Sequence, residues 1–336
     1  MKIPAWLLIF IFISFIGKSQ DPHFSQFFSS PLTLNPAFTG KFDGNLRLAG
    51  NFRNQWPAFN NVYTTSTLSV DFPIMQKHIP ENDTWGLGIL ALTDKAAAGI
   101  LTNNYLGIST SYHKALDENG YKQIGAGFQV MYGEKRLDYS KLIFEDQLTP
   151  FGFNLNVPSA DIATITKPDI KYLDINTGIL FSASTNNNNN FYVGVSLYHI
   201  NRPKESFTGG DWYIGSRATL SAGGYFPVSD NLTLHSSGIY QQQSKSSELT
   251  LGAALAASLD NEANNPANIY FGSWIRIKDA VIPYAGIEFA GLRIGASYDI
   301  NTSSLKSGSQ SRGGMEISLI YIKRPADGRN IPCPKF

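Results

Sequence analysis

The sequence predicts an all-β protein, a transmembrane antiparallel β-barrel of about 14 strands with an N-terminal lead-in or plug segment. Segments of about ten residues alternate apolar and polar side chains along nearly the whole chain, with no amphipathic helix between them. Charged residues make up only 16%, against about 25% in ordinary soluble domains. No segment beyond the N-terminus has the 18 or so consecutive apolar residues of a transmembrane helix.

The stretch Gln123–Tyr132 shows the alternation most clearly. Its apolar face holds Ile124, Ala126, Phe128, Val130 and Tyr132. Its other face holds Gln123, Gly125, Gly127 and Gln129, with Met131 as the exception. A soluble β-sandwich would alternate in the same way. The low charge and the N-terminus favour a barrel with lipid outside and water inside, because a closed sheet in lipid leaves no backbone group unpaired.

Residues 1–19 have the pattern of a secretory signal peptide. Lys2 precedes an apolar run from Ala5 to Ile16, and the small residues Gly17 and Ser19 precede the expected cleavage site before Gln20. A membrane anchor is the alternative, but an apolar run of about a dozen residues is short for one. The sequence therefore predicts an exported protein.

Residues 20–44 are expected to form an irregular lead-in or plug, because three prolines exclude a long helix or a central strand. These are Pro22, Pro31 and Pro36. Phenylalanines in the same segment, among them Phe24, Phe27, Phe28 and Phe38, favour packing over a disordered periplasmic lead-in.

The barrel is expected over residues 45–323, followed by a tail over 324–336. Its predicted strands are Asn45–Asn54, Tyr63–Phe72, Thr84–Asp94, Leu101–Lys114, Tyr121–Tyr132, Tyr172–Thr185, Phe191–His199, Trp212–Phe226, Leu232–Gln243, Glu248–Leu259, Ile269–Lys278, Ala280–Phe289, Leu292–Asp299 and Gly314–Lys323. The longest connections, Glu134–Lys171 and Asn201–Gly210, both follow odd-numbered strands. They are therefore expected at the extracellular end if both termini are periplasmic.

No catalytic, cofactor or metal motif is present, so the chain is predicted not to be an enzyme. The five histidines are scattered, and the sequence has neither a P-loop nor a GxSxG element. A catalytic group assembled from distant strands is an alternative with little support. Carboxylates at Asp94, Asp138, Glu145 and Asp146 are better explained as solvated than as a Ca²⁺ site. No basic run suggests nucleic acid.

The residues expected to face the lumen carry both charges, which favours internal salt bridges over a selective pore. They are Arg47, Arg53, Arg217, Arg276, Arg293, Asp174, Glu248 and Glu316. Cys333 is the only cysteine, so an intramolecular disulfide is excluded.

Two terminal elements give the chain a specific likeness. The segment DPHFSQ contains Asp21, Pro22, Phe24, Ser25 and Gln26, and NPAFTG contains Asn35, Pro36, Ala37 and Gly40. The tail IPCPKF contains Cys333, Pro334 and Phe336. Together they resemble the DPxFSQ, NPAxxG and CPRF elements of the PorP/SprF outer-membrane proteins of Bacteroidota, with Lys335 in place of arginine. The Asn-Pro-Ala element is also similar to one in fatty-acid channel barrels, where it belongs to a lumenal plug.

The PorP/SprF resemblance implies a non-enzymatic outer-membrane component of the type IX secretion system, which also serves gliding motility. Its partners would be outer-membrane lipid, other components of that system and a secreted client such as a large adhesin. The client would be recognised through its type IX C-terminal domain. The alternative is an outer-membrane porin or transporter for small or hydrophobic solutes.

Overall fold

The computed structural model describes residues 21–59, 62–185, 189–260, 267–304 and 306–324. Fourteen antiparallel strands form a closed barrel in which β1 pairs with both β2 and β16. The barrel strands are β1 (Leu46–Gln55), β2 (Tyr63–Ile74), β3 (Thr84–Ala96), β4 (Leu101–Ala115), β5 (Lys122–Leu137), β8 (Asp169–Ala183), β9 (Asn190–Tyr198), β10 (Arg217–Ser229), β11 (Leu232–Gln243), β12 (Ser246–Asp260), β13 (Ala267–Arg276), β14 (Ala280–Phe289), β15 (Leu292–Asn301) and β16 (Arg312–Lys323).

The remaining elements are short. A two-stranded hairpin outside the barrel consists of β6 (Leu148–Thr149) and β7 (Gly152–Phe153). The α-helical turns are α1 (Pro31–Leu34) and α2 (Lys306–Ser309). The 3-10 turns are Phe27–Ser29, Pro36–Phe38, Pro57–Phe59, Ala97–Gly99, Tyr139–Lys141, Glu145–Gln147 and Ala160–Thr164. None of the described helices is long and apolar enough to cross a membrane.

The alternation of side chains confirms the predicted barrel. Along β5 the apolar side chains of Ile124, Phe128 and Tyr132 are exposed, whereas Gln123 and Gln129 are buried. The same pattern continues around the sheet, with Leu106 59%, Ile179 56% and Phe271 65% exposed. Because large apolar side chains cover the outer surface and polar ones fill the interior, the outer surface fits lipid. Strands of 9–16 residues are long enough to cross a bilayer.

The two long connections lie at one end of the barrel, here called the loop end, and the opposite end is called the turn end. Residues 138–168 and 199–216 form the long loops. The first loop is shorter than the predicted Glu134–Lys171, because β5 and β8 stay paired up to Arg136 and Asp169. At the turn end, two-residue turns join β10 to β11 and β14 to β15.

The prediction of a strand beginning at Trp212 is wrong. β10 begins at Arg217, and the preceding residues fold back on their own loop instead of joining the sheet. The N–H of Glu205 donates to the Trp212 carbonyl at 2.7 Å, and the N–H of Ile214 donates to the Pro203 carbonyl at 3.0 Å. The backbone groups that a strand would use are therefore already paired within the loop.

The lumen is filled by residues 21–44, here called the plug. Leu32, Ala37 and Phe38 of the plug are at most 1% exposed. The apolar part of the interior forms where plug aromatics meet wall aromatics, since Phe28 lies 4.6 Å from Trp274 and Phe38 5.3 Å from Tyr192 between ring centroids. The core of this protein therefore lies between the plug and the sheet.

Replacing a lipid-facing side chain by a charge tests the outer surface. Ile108 is 61% exposed in the middle of the apolar belt on β4. We expect Ile108→Arg to lower the free energy of unfolding by about 2–4 kcal/mol, the cost of an arginine at the bilayer midplane. Urea titration of the protein folded into phospholipid vesicles measures this change. Leu155→Arg, in the loop after β7 and equally exposed at 62%, should leave stability unchanged; equal effects of both variants would contradict the assignment.

Candidate functional site

The plug runs through the lumen from the loop end to the turn end. Asp21 lies at the loop end, where its backbone N–H and its carboxylate both bond to the Gln243 side chain, at 2.8 and 3.0 Å. At the other end of the plug, the N–H of Asn45 donates to the Lys323 carbonyl at 2.8 Å, and the chain then enters β1. The plug thus crosses the whole barrel before the first strand begins.

The DPHFSQ segment binds the wall formed by β15 and β16. The backbone N–H groups of Ser25 and Gln26 donate to the two carboxylate oxygens of Glu316, at 2.7 and 3.0 Å. The Gln26 side chain also donates to Ser297 at 3.0 Å and accepts from Ser318 at 2.6 Å. This irregular backbone lacks a strand or helix partner, so wall side chains satisfy its polar groups.

A buried charge cluster holds the same segment. The Ser25 hydroxyl lies 2.7 Å from the Asp299 carboxylate and accepts from Arg276 at 2.7 Å. Arg53 donates to the carboxylate of Asp299 at 2.8 Å and to the His23 carbonyl at 3.0 Å. The prediction that charges facing the lumen form internal pairs is confirmed here, because both arginines share one acidic partner.

The NPAFTG segment binds the opposite wall, and Asn35 is its centre. Asn35 has the extended backbone required before a proline (φ −160°, ψ 123°), and its side-chain oxygen accepts from the Ala37 N–H at 2.8 Å. Its side-chain amide donates to the carbonyls of Ile179 and Val195, at 3.1 and 3.2 Å. These two residues are register partners on β8 and β9, so one asparagine links the plug to two adjacent strands.

Glycines on the inner face of the barrel provide the space for NPAFTG. A Cβ at Gly127 would lie 2.3 Å from Pro36 C and Ala37 N, and one at Gly178 would lie 1.9 Å from Asn35 Oδ1. At Gly86 it would lie 2.1 Å from the Thr39 carbonyl oxygen. All three distances are shorter than the contact distances of real Cβ atoms. These three inward glycines, here called the glycine seat, therefore lie against the plug and not against water.

Gly40 needs to be glycine for a second reason. Its φ of +69° is in the left-handed region, and a Cβ there would lie 2.4 Å from Gly86 Cα. Its N–H donates to Asp71 at 2.7 Å, and Asp71 also pairs with Arg47 at 2.7 Å. Arg47 in turn donates to the Phe38 carbonyl at 2.9 Å. The end of the motif is thus fixed by a buried ion pair of the wall.

Adding a side chain to the glycine seat should displace the plug. We expect Gly127→Val to leave the barrel assembled but to raise amide hydrogen exchange across residues 34–40 at least tenfold, because the new carbons overlap plug backbone. Hydrogen exchange with mass spectrometry on the folded protein measures this. Gly50→Ala on β1 is the control, since its Cβ would meet nothing nearer than 3.7 Å. Unchanged exchange in Gly127→Val would rule out a tight seat.

A histidine joins the plug to the wall at the loop end. His199, which immediately follows β9, is 4% exposed and lies between two carboxylates. Its Nε2 is 2.6 Å from Asp21 Oδ2 and its Nδ1 is 2.9 Å from Asp174 Oδ1. Burial by itself lowers the pKa of His199, but Asp21 and Asp174 outweigh burial and raise it to about 9. The imidazolium form therefore donates to both carboxylates at neutral pH.

This cluster predicts a pH dependence. The pKa of His199 is raised from 6.5 to about 9. The stability that protonated His199 gives the folded protein is therefore fully present below about pH 6.5 and is lost as the pH rises through about 9. We expect hydrogen exchange at the start of the plug to increase between pH 8 and 10, after correction for the intrinsic rate. His199→Gln should exchange faster at pH 7 and lose that additional increase. An identical pH profile in both proteins would refute the role of His199.

An open cavity of about 810 Å³, here called the vestibule, lies above the plug at the loop end. Its floor is Asp21, Pro22 and His23, and its sides are the ends of β1–β5 and residues 202–215 of the second long loop. An ion pair between Lys135 and Glu205 links the sheet to that loop. Its aromatic lining is Trp56, Tyr63, Tyr105, Phe207, Trp212 and Tyr213. Its volume is in the range of ligand-binding pockets.

The structure places the candidate residues from the two N-terminal motifs together in the lumen. Pro22 lies on the vestibule floor, and Phe24, Pro36 and Ala37 are buried in the plug. Cys333, Pro334 and Phe336 lie outside the described residues. The expectation that Asp94 is solvated is wrong, because it is 7% exposed. In the described part of the chain, no group of three or more His, Cys, Asp or Glu could hold a metal ion. Sequence reasoning missed the vestibule, whose lining comes from distant strands and a loop.

Comparison with protein families gives one match over most of the chain. The model for "Type IX secretion system membrane protein PorP/SprF" matches residues 16–321. No curated protein matches the sequence.

Solved structures similar to this chain include a hydrocarbon channel and a porin. The CymD monoaromatic hydrocarbon channel has a TM-score of 0.47 at 13% identity, covering 88% of this chain and 93% of that one. A Pseudomonas aeruginosa FadL homologue has a TM-score of 0.43 at 11% identity, covering 85% and 92%. The KdgM porin has a TM-score of 0.39 at 10% identity, covering 82% and 98%.

Proposed function

The chain belongs to the PorP/SprF family of type IX secretion system membrane proteins, and on that premise we propose that it binds a secreted client at the loop end of its barrel. Binding would assist the export of the client or its attachment to the cell surface. The client carries a type IX C-terminal domain, and a large adhesin fits this description. In this proposal the loop end is extracellular, and the plug and barrel act without catalysis or a cofactor.

The observation that carries this proposal is a lumen filled by the plug beneath an open vestibule. Plug residues are bonded to strands on opposite sides of the barrel, at Glu316 and at Ile179. A vestibule open at the loop end has room for part of a partner, whereas a filled lumen is poorly suited to solute flow. This arrangement favours partner binding over the alternative, a porin or transporter.

Exposed apolar side chains on the first long loop add a second contact surface. Phe151 is fully exposed, and Phe153 and Leu155 are 54% and 62% exposed, around the β6–β7 hairpin. Such side chains lie outside the barrel wall, where they do not contribute to the lipid-facing belt. Grouped apolar residues in an aqueous loop are typical of interaction surfaces. We include this loop in the proposed client-binding region.

Removing the apolar loop side chains tests the proposal. We expect the triple variant Phe151→Ser, Phe153→Ser, Leu155→Ser to recover at least tenfold less client than wild type in co-purification from native membranes, because losing interface anchors costs about 2 kcal/mol each. The control is Met75→Ser, Gln76→Ser, Lys77→Ser, three exposed residues at the turn end. Mass spectrometry identifies and quantifies the client, and the gene for a large secreted protein is expected next to this one.

Two further measurements separate the alternatives. In planar bilayers the purified wild-type protein should be electrically silent, whereas a steady open pore would favour a porin and contradict the proposal. Failure of the wild type to recover any secreted client would contradict it as well.

Deleting Ile331–Phe336 tests the tail: undisturbed client export would exclude the tail as a docking element.

A further inference from the structure

Four side chains form a row across the vestibule wall. Thr65 on β2 is in register with Asp94 on β3, Asp94 with Asn103 on β4, and Asn103 with Lys135 on β5. All four line the vestibule. Because register partners on one face of a sheet are neighbours, the row is fixed by the strand pairing.

Asp94 is a buried carboxylate that makes no ion pair with any described residue. It is 7% exposed, accepts from the Thr65 hydroxyl at 2.7 Å, and accepts from the Asn103 amide at 3.3 Å. Among the described residues, no lysine, arginine or histidine nitrogen lies within 4 Å of it. Lys135, at the end of the row, is paired with Glu205 instead. A buried carboxylate with only neutral donors is a costly arrangement that a bound cation would relieve.

Asn103 provides a second, independent indication of a binding site. It is 9% exposed, and its side-chain oxygen is buried without a hydrogen-bond partner. This oxygen belongs to the same amide whose nitrogen donates to Asp94, and both residues line the vestibule. Buried acceptors are normally satisfied. A ligand group with several N–H donors and a positive charge would satisfy both.

We propose that this row is a recognition site for a basic side chain, lysine or arginine, on the client polypeptide. The proposal rests on the proposed function, because it names the client chemistry that the vestibule accepts. Tyr63 and Tyr105 line the same cavity, and aromatic rings near a cation attract it and pack against its methylene chain. The vestibule is open and much larger than an ammonium group, so a side chain carried on a polypeptide can enter it.

The experiment uses the full chain purified in detergent and a blocked peptide, acetyl-Gly-Gly-Lys-Gly-Gly-amide, titrated by calorimetry. The norleucine analogue has nearly the same shape without the charge. We expect the lysine peptide to bind at least tenfold more tightly than the norleucine peptide. Asp94→Asn should abolish this preference while keeping an acceptor for Thr65. Asp169→Asn, which changes an aspartate at the loop end that lies outside the vestibule, is the control and should bind as wild type does.

Several outcomes would overturn the proposal. Equal binding of the two peptides, or an unchanged preference in Asp94→Asn, would exclude cation recognition by the row. If butylamine alone binds as tightly as the lysine peptide, the site takes free amines and not a polypeptide. Asn103→Leu provides a second variant if Asp94→Asn does not fold, and it should also weaken the lysine peptide. A wild type that recovers its client without any peptide preference would retain the proposed function and lose only this inference.

Discussion

The structure depends on one constraint: a barrel that faces lipid outward must place its polar side chains inward, where each of them needs a partner. Here the plug supplies many of those partners. Its irregular backbone has N–H and C=O groups that no strand pairing satisfies. The wall has carboxylates, amides and hydroxyls at the positions where these groups lie. Glu316 illustrates this, since its two oxygens accept from two successive plug N–H groups. The wall and the plug therefore satisfy each other's hydrogen-bonding groups.

Charge pairing extends the same constraint. Arg47 and Asp71 are both buried, and both also bond to plug backbone. Losing one member of a buried pair costs about 3–5 kcal/mol, because it leaves the other charge unpaired. Each such pair therefore couples the integrity of the wall to the position of the plug. By contrast, Asp94 makes no ion pair with any described residue, and it lines the open vestibule.

The shape of the inner wall also holds the plug in place. Inward glycines let plug backbone approach strand backbone more closely than any side chain would permit, notably at Gly127 and Gly178. The plug is thus held both by close contact with the wall and by buried charges, and the two occur together at Gly40. Above it the second long loop and the ends of several strands line the vestibule, and His199 connects that loop, the wall and the start of the plug.

The sequence by itself determined the barrel, because side-chain alternation along a strand is a local property that can be read residue by residue. It also indicated the plug, through the prolines and phenylalanines of residues 20–44, and glycines of uniform parity on Gln123–Tyr132 were an available sign of a close neighbour. Only the tertiary structure decided what fills the lumen and what lines the vestibule. Those contacts join residues far apart in sequence, such as Ser25 and Glu316 at a separation of 291. Strand register and barrel closure set such pairings, and no local pattern encodes them. The late start of β10 has a different reason, because hydrogen bonds within the loop, Glu205 to Trp212 and Ile214 to Pro203, take the place of strand pairing there.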